Sequence, residues 1–214
     1  MISLPEPDAK VKKMTADQLV IRRMKPQDVP AVLKIESVSF GRHHWSDESF
    51  YNELGNHLGR YYSLLSKDLK NCQGKDRAEF SGPDDQKDPP LLGYGGYWLI
   101  IDEAHITTLA VSPQYRGNAL GELMLVQLLD RCMGQSVRWV TLEVRASNYS
   151  AQNLYYKYGF NSMGLRPKYY QDNQEDALIM TTPDINTEEY RKQYNILKKS
   201  LSNRLNGLPA GFGQ

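Results

Sequence analysis

The sequence predicts an α/β domain with a mixed central sheet flanked by helices. Segments with the two-residue alternation of strands and segments with helical spacing follow one another along the chain. Of the 214 residues, 40% are hydrophobic and 24% are charged, which is typical of a globular protein. Residues 114–134 can cross from one strand to the next, so we expect one pair of neighbouring strands to be parallel.

The first half of the domain is predicted to contain three strands and two helices. Residues 19–21 begin the first strand, and apolar residues at helical spacing predict a helix from Pro26 onward. Ser46 can begin a second helix, because its side chain can accept a hydrogen bond from a free N–H group of the first turn. Residues 61–65 and 91–101 are the next two strands, and the glycines of the latter suggest a bulge or a close backbone approach.

The second half of the domain alternates between strands and helices. Residues 105–111 are predicted to form a fourth strand, and the helix that follows carries Cys132 on its apolar face. Apolar and polar side chains alternate over residues 138–145, which predicts a fifth strand. The next helix is expected to end at Gly159, which can adopt a left-handed cap, and Phe160 opens the last strands.

Three segments are expected to lie outside this domain, which spans residues 19–183. Residues 1–18 are polar and contain two prolines, which predicts a flexible segment. Residues 67–90 carry charges of both signs and almost no large apolar side chain, which predicts an exposed insertion. Residues 184–214 are predicted to be a basic helical tail.

Charge balance and cysteine content argue against several classes of protein. The 26 Lys and Arg residues and 25 Asp and Glu residues leave a net charge of +1, so neither nucleic acid nor a membrane surface is an expected partner. The sequence contains no long apolar run and does not begin like a signal peptide, so we expect a cytoplasmic protein. Cys72, Cys132 and the pair His43–His44 lack the spacing of metal ligands, so no metal is expected.

The sharpest local feature is a glycine-containing turn at residues 114–121, between a predicted strand and a long helix. The free N–H groups at a helix N-terminus attract an anion, and Gly117, Ala119 and Gly121 have no bulky side chain to keep a pyrophosphate away. Arg116 could add a charge-assisted contact. A nucleotide-like cofactor is therefore expected, although the same small residues would also suit an ordinary helix start packed close to a strand.

This turn resembles the coenzyme-binding loop of the GNAT acetyltransferases, in which Gln-x-x-Gly-x-Ala follows a strand. Other segments are similar to one type within that family, the ribosomal-protein-alanine N-acetyltransferases. They are residues 44–46, 102–106, 142–148, 151–155, 159–160, 166–170 and 176–180. The resemblance covers residues 19–183 except 67–90 and implies the GNAT fold, with acetyl-CoA as cosubstrate and no metal.

The resemblance also implies which residues bind the two substrates. Acetyl-CoA would be held by strand backbone, by the turn and by one asparagine, namely Leu109, Ala110, Val111, Arg116, Gly117, Asn118, Ala119, Leu120, Gly121, Glu122 and Asn148. The acceptor would lie against Trp45, Tyr169 and Tyr170. The residues alone leave other roles open, because Asn148 can cap a helix or form a turn and the two tyrosines favour strands in any case.

Glu143 and Tyr155 are the candidate base and acid of an acetyl transfer. Glu143 shares the polar face of its strand with Thr141 and Arg145, so by alternation alone it could simply be a solvated residue; the resemblance implies that it is the base. A phenol keeps its proton up to a pH of about 10 and can give it to a departing thiolate. The resemblance implies this role for Tyr155, which could otherwise pack in the core.

The sequence thus predicts an enzyme that transfers acetyl from acetyl-CoA to a protein N-terminal α-amine by direct attack. By resemblance, the acceptor would be the N-terminal alanine of ribosomal small-subunit protein eighteen. The same fold could act instead on another N-terminus, a lysine or a small amine. A non-catalytic acyl-CoA-binding or assembly module, working through residues 191–204, is a different possibility, which the presence of both Glu143 and Tyr155 disfavours. Neither cysteine has a visible base, so an acyl-cysteine route is also disfavoured.

Overall fold

A computed structural model describes residues 14–41, 45–67 and 89–213, whose elements follow the predicted order. The strands are β1 (Leu19–Arg23), β2 (Gly59–Ser66), β3 (Leu91–Ile100), β4 (Glu103–Val111), β5 (Trp139–Arg145), β6 (Asn161–Tyr170) and β7 (Glu175–Thr181). The α-helices are α1 (Val29–Phe40), α2 (Asp47–Gly55), α3 (Leu120–Met133), α4 (Tyr149–Lys157) and α5 (Glu188–Leu205). Short 3₁₀ turns precede β1, α1 and the turn before α3.

The strands form one seven-stranded sheet in the order β1-β2-β3-β4-β5-β7-β6. Strands β4 and β5 are parallel, whereas every other neighbouring pair is antiparallel. Helix α3 provides the crossover between β4 and β5, as a parallel connection requires. The predicted mixed sheet with one parallel pair is confirmed.

The glycines of β3 permit the close approach that the sequence suggested. A Cβ atom on Gly96 would collide with the Tyr61 ring, which lies across β3 from the neighbouring strand β2. The pairing of β3 with β4 shifts register directly after this residue, between Gly96 and Tyr97. The predicted bulge is therefore present, and the absence of a side chain on Gly96 makes room for the Tyr61 ring.

Two hydrophobic clusters cover the two faces of the sheet. On one face α3 packs with Leu125, Leu128, Leu129 and Cys132, which have no exposed surface, as its spacing predicted. Burial raises the pKa of the Cys132 thiol, which disfavours the reactive thiolate. On the other face α1 and α2 bury their own smaller cluster, which includes Val32 and Phe50.

Helix α5 packs on the same core as α3, although the sequence analysis assigned it to a tail outside the domain. Tyr190, Tyr194, Leu201 and Leu205 are buried in the larger cluster. Their spacing of four, seven and four residues places them on one face of a helix, a pattern that the many Lys and Arg residues obscure. At the other end of the described chain, Met14 and Ala16 are buried in that cluster too, so its core extends beyond residues 19–183 on both sides.

The outer edge of β1 is covered by the segment that follows α5. The backbone N–H of Ile21 donates to the carbonyl oxygen of Ala210 at 2.9 Å, and Val20 and Ala210 form a parallel bridge. A Cβ atom on Gly211, whose φ is +78°, would collide with the Ile21 carbonyl oxygen. A glycine at this position therefore allows residues 209–213 to lie against the strand.

Some predictions concern residues outside the described ones. Most of the predicted insertion 67–90 falls there, together with Cys72 and the pair His43–His44. Among the helices that are described, none has both the length and the apolar character needed to cross a bilayer.

Candidate functional site

The two parallel strands diverge and open a cleft in the sheet. Backbone pairing between β4 and β5 extends from Glu103 opposite Trp139 to Ile106 opposite Leu142. Beyond that point β5 pairs only with β7, and residues 107–111 of β4 have no strand partner on the β5 side among the described residues. The predicted cofactor strand, Leu109, Ala110 and Val111, lies at this free edge. Its unpaired backbone groups can bind an extended ligand as a further strand would.

The turn between β4 and α3 leads to an uncapped helix N-terminus beside this cleft. Gly117 and Ala119 adopt positive φ values of +81° and +60°, and Ala119 is the residue before the first helical turn. No described side chain caps the helix start, so the N–H groups of Leu120, Gly121 and Glu122 have neither a capping side chain nor an intrahelical partner. This arrangement suits an anion.

The space around two glycines of the turn is open. A Cβ atom on Gly117 would meet nothing within 4 Å, and one on Gly121 would meet only the Val111 Cγ2 atom, at 3.9 Å. The Asn118 side chain bends back to donate to the Tyr115 carbonyl oxygen at 3.2 Å. The exposed Arg116 donates through Nε to the Val111 carbonyl oxygen at 3.3 Å, so its guanidinium lies beside the free strand edge.

Glu122, which the sequence analysis assigned to cofactor binding, has a carboxylate that is bound elsewhere. Its Oε1 accepts hydrogen bonds from Lys157 at 2.6 Å and from the Tyr158 hydroxyl at 2.7 Å, and its Oε2 contacts Arg204 at 2.6 Å. Burial alone would raise the pKa of Glu122, but these three donors together lower it. Only its backbone N–H remains available to a cofactor, while its side chain joins α3 to α4 and α5.

Asn148 caps a helix, which is one of the roles that the residues alone left open for it. Its side chain accepts a hydrogen bond from the Ala151 N–H at 3.1 Å and caps α4. The side chain of Gln152 anchors the same helix, because its amide donates to the carbonyl oxygens of Arg145 and Ala146, at 2.9 Å each. Helix α4 is thereby fixed to the end of β5.

Glu143 is the first residue of β5 beyond the parallel pairing, so it lies where the cleft opens. Its side chain is only 8% exposed, and it contacts two nitrogen-bearing side chains: Nε2 of His105 is 3.0 Å from Oε2, and the Arg166 guanidinium is 3.1 Å from Oε1. The hydrogen bond from His105 lowers the pKa of Glu143 more than burial raises it, and the positive charge of Arg166 adds to the lowering. The carboxylate is therefore ionised at neutral pH.

Tyr155 lies on the buried side of α4, with its ring centroid 5.6 Å from that of Phe160. Burial raises the pKa of this phenol to about 12. No hydrogen bond between described residues uses its hydroxyl, in contrast to Tyr158, whose hydroxyl binds Glu122. Tyr155 thus keeps its proton across the whole physiological range.

The predicted substrate residues lie in two places. Tyr169 and Tyr170 stand at the end of β6 with ring centroids 5.2 Å apart, and Arg145 stacks on Tyr170 at 3.9 Å. Burial raises the pKa of Tyr170. The charges of Tyr155 and Glu143 raise this pKa further, so these groups lie in one region. Trp45 lies instead beside α2, with its ring 5.2 Å from Phe50 and 6.1 Å from Tyr61.

Three side chains at Glu143 were not assigned a role from the sequence. They are His105 and Arg166, which contact the carboxylate, and Thr141, whose Oγ1 is 2.8 Å from Nδ1 of His105. His105 and Thr141 are directly opposite each other in the parallel pair. The alternation of β5 placed Thr141 and Glu143 on one face, but only the register of β4 against β5 identifies the histidine that joins them.

Two basic residues of α5 form ion pairs with α3. Lys198 contacts Asp130 at 2.5 Å and Arg204 contacts Glu122, so two of the cations in residues 191–204 are paired with α3. Within the described ranges, no three His, Cys, Asp or Glu side chains converge as a metal site would require.

Comparison with known proteins identifies the family of this chain. The sequence pattern of the acetyltransferase (GNAT) family matches residues 38–160, more than half of the chain. A Bacillus subtilis (strain 168) protein provisionally named ribosomal protein bS18-alanine N-acetyltransferase is 38% identical over 160 residues, which cover 75% of this chain and 92% of that protein. The Escherichia coli (strain K12) protein of that name is 41% identical over 87 residues, which cover 40% of this chain and 59% of that protein.

A solved structure has the same architecture. The crystal structure of the ribosomal-protein-S18-alanine N-acetyltransferase from Escherichia coli superimposes with a TM-score of 0.61 and 27% sequence identity, covering 79% of this chain and 97% of that one. The family match and the two relatives each indicate an acetyltransferase, and this structure shares the mixed α/β architecture. The chain therefore belongs to the GNAT acetyltransferase family and is an acetyl-CoA-dependent N-acetyltransferase.

Proposed function

We propose that this enzyme acetylates the N-terminal α-amine of a protein, and that the acceptor is the N-terminal alanine of ribosomal protein bS18. The observation that carries the proposal is the buried, ionised carboxylate of Glu143 at the point where β4 and β5 diverge. The names of the bacterial relatives support the choice of acceptor. We infer that the amine attacks acetyl-CoA directly, because the described cysteine, Cys132, is buried and its thiol is protonated.

Glu143 and Tyr155 account for the protons of this reaction. An α-ammonium group has a pKa of about 7.7–8.0 and must lose a proton before its nitrogen can attack. Glu143 accepts that proton, directly or through a water, and Tyr155 donates its own to the departing thiolate of coenzyme A. A buried tyrosinate is unfavourable, so Tyr155 takes back a proton at once from the newly acetylated nitrogen. One proton is released to solvent in each turnover.

Acetylation of a designed peptide tests the acceptor. The peptide carries the first residues of bS18, beginning with alanine, and one internal lysine. We expect fragment-ion mass spectrometry to locate the acetyl group on the α-amine. A matched peptide with a blocked N-terminus should remain unmodified. Acetyl on the lysine, or modification of spermidine but not of the peptide, would show that the acceptor is wrong; cofactor binding without any acetylation would favour a non-catalytic module.

The turn before α3 provides a separate test of cofactor binding. Gly121→Glu adds a charged side chain without backbone strain, because Gly121 lies in the first helical turn and its Cβ position is open. Loss of charge-assisted hydrogen bonds worth about 1.5–3 kcal/mol should weaken acetyl-CoA binding roughly 10- to 150-fold by calorimetry. Gly55→Glu, at the exposed end of α2, is the matched control. Unchanged affinity in a folded Gly121→Glu variant would contradict the assignment.

A further inference from the structure

A chain of three side chains, His105, Thr141 and Glu103, leads away from the carboxylate of Glu143. His105 contacts Glu143 through Nε2 at 3.0 Å and Thr141 Oγ1 through Nδ1 at 2.8 Å. The Thr141 hydroxyl in turn donates to Oε1 of Glu103 at 2.5 Å. Glu103, His105 and Thr141 lie at the closed end of the cleft, where β4 and β5 are still paired, and Glu143 lies directly beyond that pairing on β5.

Counting hydrogen-bond donors assigns the protons of the His105 ring. A threonine hydroxyl has one hydrogen, and the carboxylate of Glu103 can only accept, so the Thr141 hydrogen is directed toward Glu103. The Thr141 oxygen therefore accepts from Nδ1–H of His105. The Glu143 carboxylate can also only accept, so Nε2 must carry a hydrogen as well. In this arrangement both ring nitrogens act as donors, Nδ1 to Thr141 and Nε2 to Glu143.

We propose that His105 is a positioning residue for Glu143, which it holds ionised and aimed into the cleft, and that Thr141 and Glu103 fix the His105 ring for this purpose. This inference rests on the proposed role of Glu143 as the base. Neither His105 nor Thr141 needs to touch the acceptor. Their effect on the reaction passes entirely through the carboxylate.

The surroundings of Glu143 make His105 its principal partner. The His105 hydrogen bond is the largest influence on the pKa of Glu143, ahead of burial and of the charge of Arg166. Arg166 lies on β6 with 53% of its side chain exposed, so solvent screens its charge. The other ionisable or charged groups nearby are Glu103 on β4, Arg145 on β5, Tyr155 on α4, and Tyr169 and Tyr170 on β6. Arg145 is already engaged by Asp172 and Glu175.

Two matched substitutions of His105 separate its contacts. His105→Gln can still donate a neutral hydrogen bond toward Glu143, whereas the shorter His105→Asn can reach only toward Thr141. Glu143 acts in its ionised form, so raising its pKa moves the acidic limb of the kcat/KM profile to higher pH. We expect a shift of roughly one to three pH units for His105→Asn and a smaller one for His105→Gln.

Variants of Thr141 and Arg166 complete the test. Thr141→Val removes the hydroxyl and should shift the limb in the same direction, and Thr141→Ser should restore it. Arg166→Met should shift it less than His105→Asn. Because every variant acts on the same peptide, titration of the acceptor amine cancels in the comparison. A limb that is unchanged or moves to lower pH in both His105→Asn and Thr141→Val would overturn the inference.

Carbon-13 NMR titration of the Glu143 carboxyl tests the contact without turnover. A higher Glu143 pKa in the His105→Asn protein supports the inference, whatever the activity of Glu143→Gln. A fully active Glu143→Gln enzyme would refute the proposed base but not the contact between His105 and Glu143. An unshifted Glu143 titration in a folded His105→Asn protein overturns the inference even if Glu143→Gln is inactive. The two proposals can therefore fail separately.

Discussion

Replacing Glu143 by glutamine should lower the rate of peptide acetylation by about 10²–10⁴-fold, the usual cost of losing one positioned base. The substitution keeps the shape of the side chain, and an amide oxygen can still accept from His105 or Arg166. The loss should be greatest at low pH, where the acceptor amine is protonated. It should diminish above a pH of about 8, because the amine then loses its proton without help.

Rates measured from pH 5.5 to 9.5 would reveal this pattern, with the range chosen to span roughly two units on either side of the α-amine pKa. Glu188→Gln, at the exposed start of α5, makes the same chemical change far from the cleft residues in sequence and should leave the rate unchanged. Acetyl-CoA affinity should be nearly the same in both variants. A Glu143→Gln enzyme with the wild-type rate at low pH would show that the base has been misassigned.

Tyr155→Phe should slow turnover by a similar factor, about 10²–10⁴-fold, while acetyl-CoA affinity changes little. The hydroxyl has no hydrogen-bond partner among the described residues, so its removal leaves no buried group unsatisfied and the fold should be retained. The slow step should be the one in which the thiolate departs. Acceptors of different amine basicity should therefore be affected about equally.

The neighbouring tyrosine provides the control for this variant. Tyr156 precedes the end of the same helix but is 47% exposed, so Tyr156→Phe should be as active as the wild type. Steady-state kcat for both variants, with calorimetry for the cofactor, gives the comparison. Equal activity of Tyr155→Phe and Tyr156→Phe would mean that Tyr155 serves only as a core residue beside Phe160.

Most elements of the fold can be predicted from the sequence, because each is marked by a pattern of residues close together in the chain. Alternation in β5, the apolar face of α3 and the Ser46 cap of α2 each depend on residues close together in the chain, and each is present. Helix α5 is different. Its apolar face is narrow and lies among many Lys and Arg residues, so composition indicates a solvated tail, whereas packing against α3 decides its position.

Residues of the candidate site could be predicted only where the pattern that marks them lies within a single strand, helix or turn. The glycine turn and the position of Glu143 follow from local pattern, and the resemblance to a family supplied their roles. The contacts of Glu122 with Arg204 and of Glu143 with His105 join residues 82 and 38 positions apart in the chain. Such contacts depend on the strand register and on helix docking, which no local pattern specifies.

The covered edge of β1 also has a consequence for how the chain is synthesised. Ile21 leaves the ribosome 189 residues before Ala210, the residue that covers it. At about 5–20 residues per second, the outer edge of β1 stays unpaired for roughly 10–40 s of translation. During that time it could pair with a strand of another nascent chain. Two adjacent arginines end this short strand. Arg22 is paired with Asp28 at 2.6 Å, so it is the exposed charge of Arg23 that opposes such pairing until the covering segment arrives.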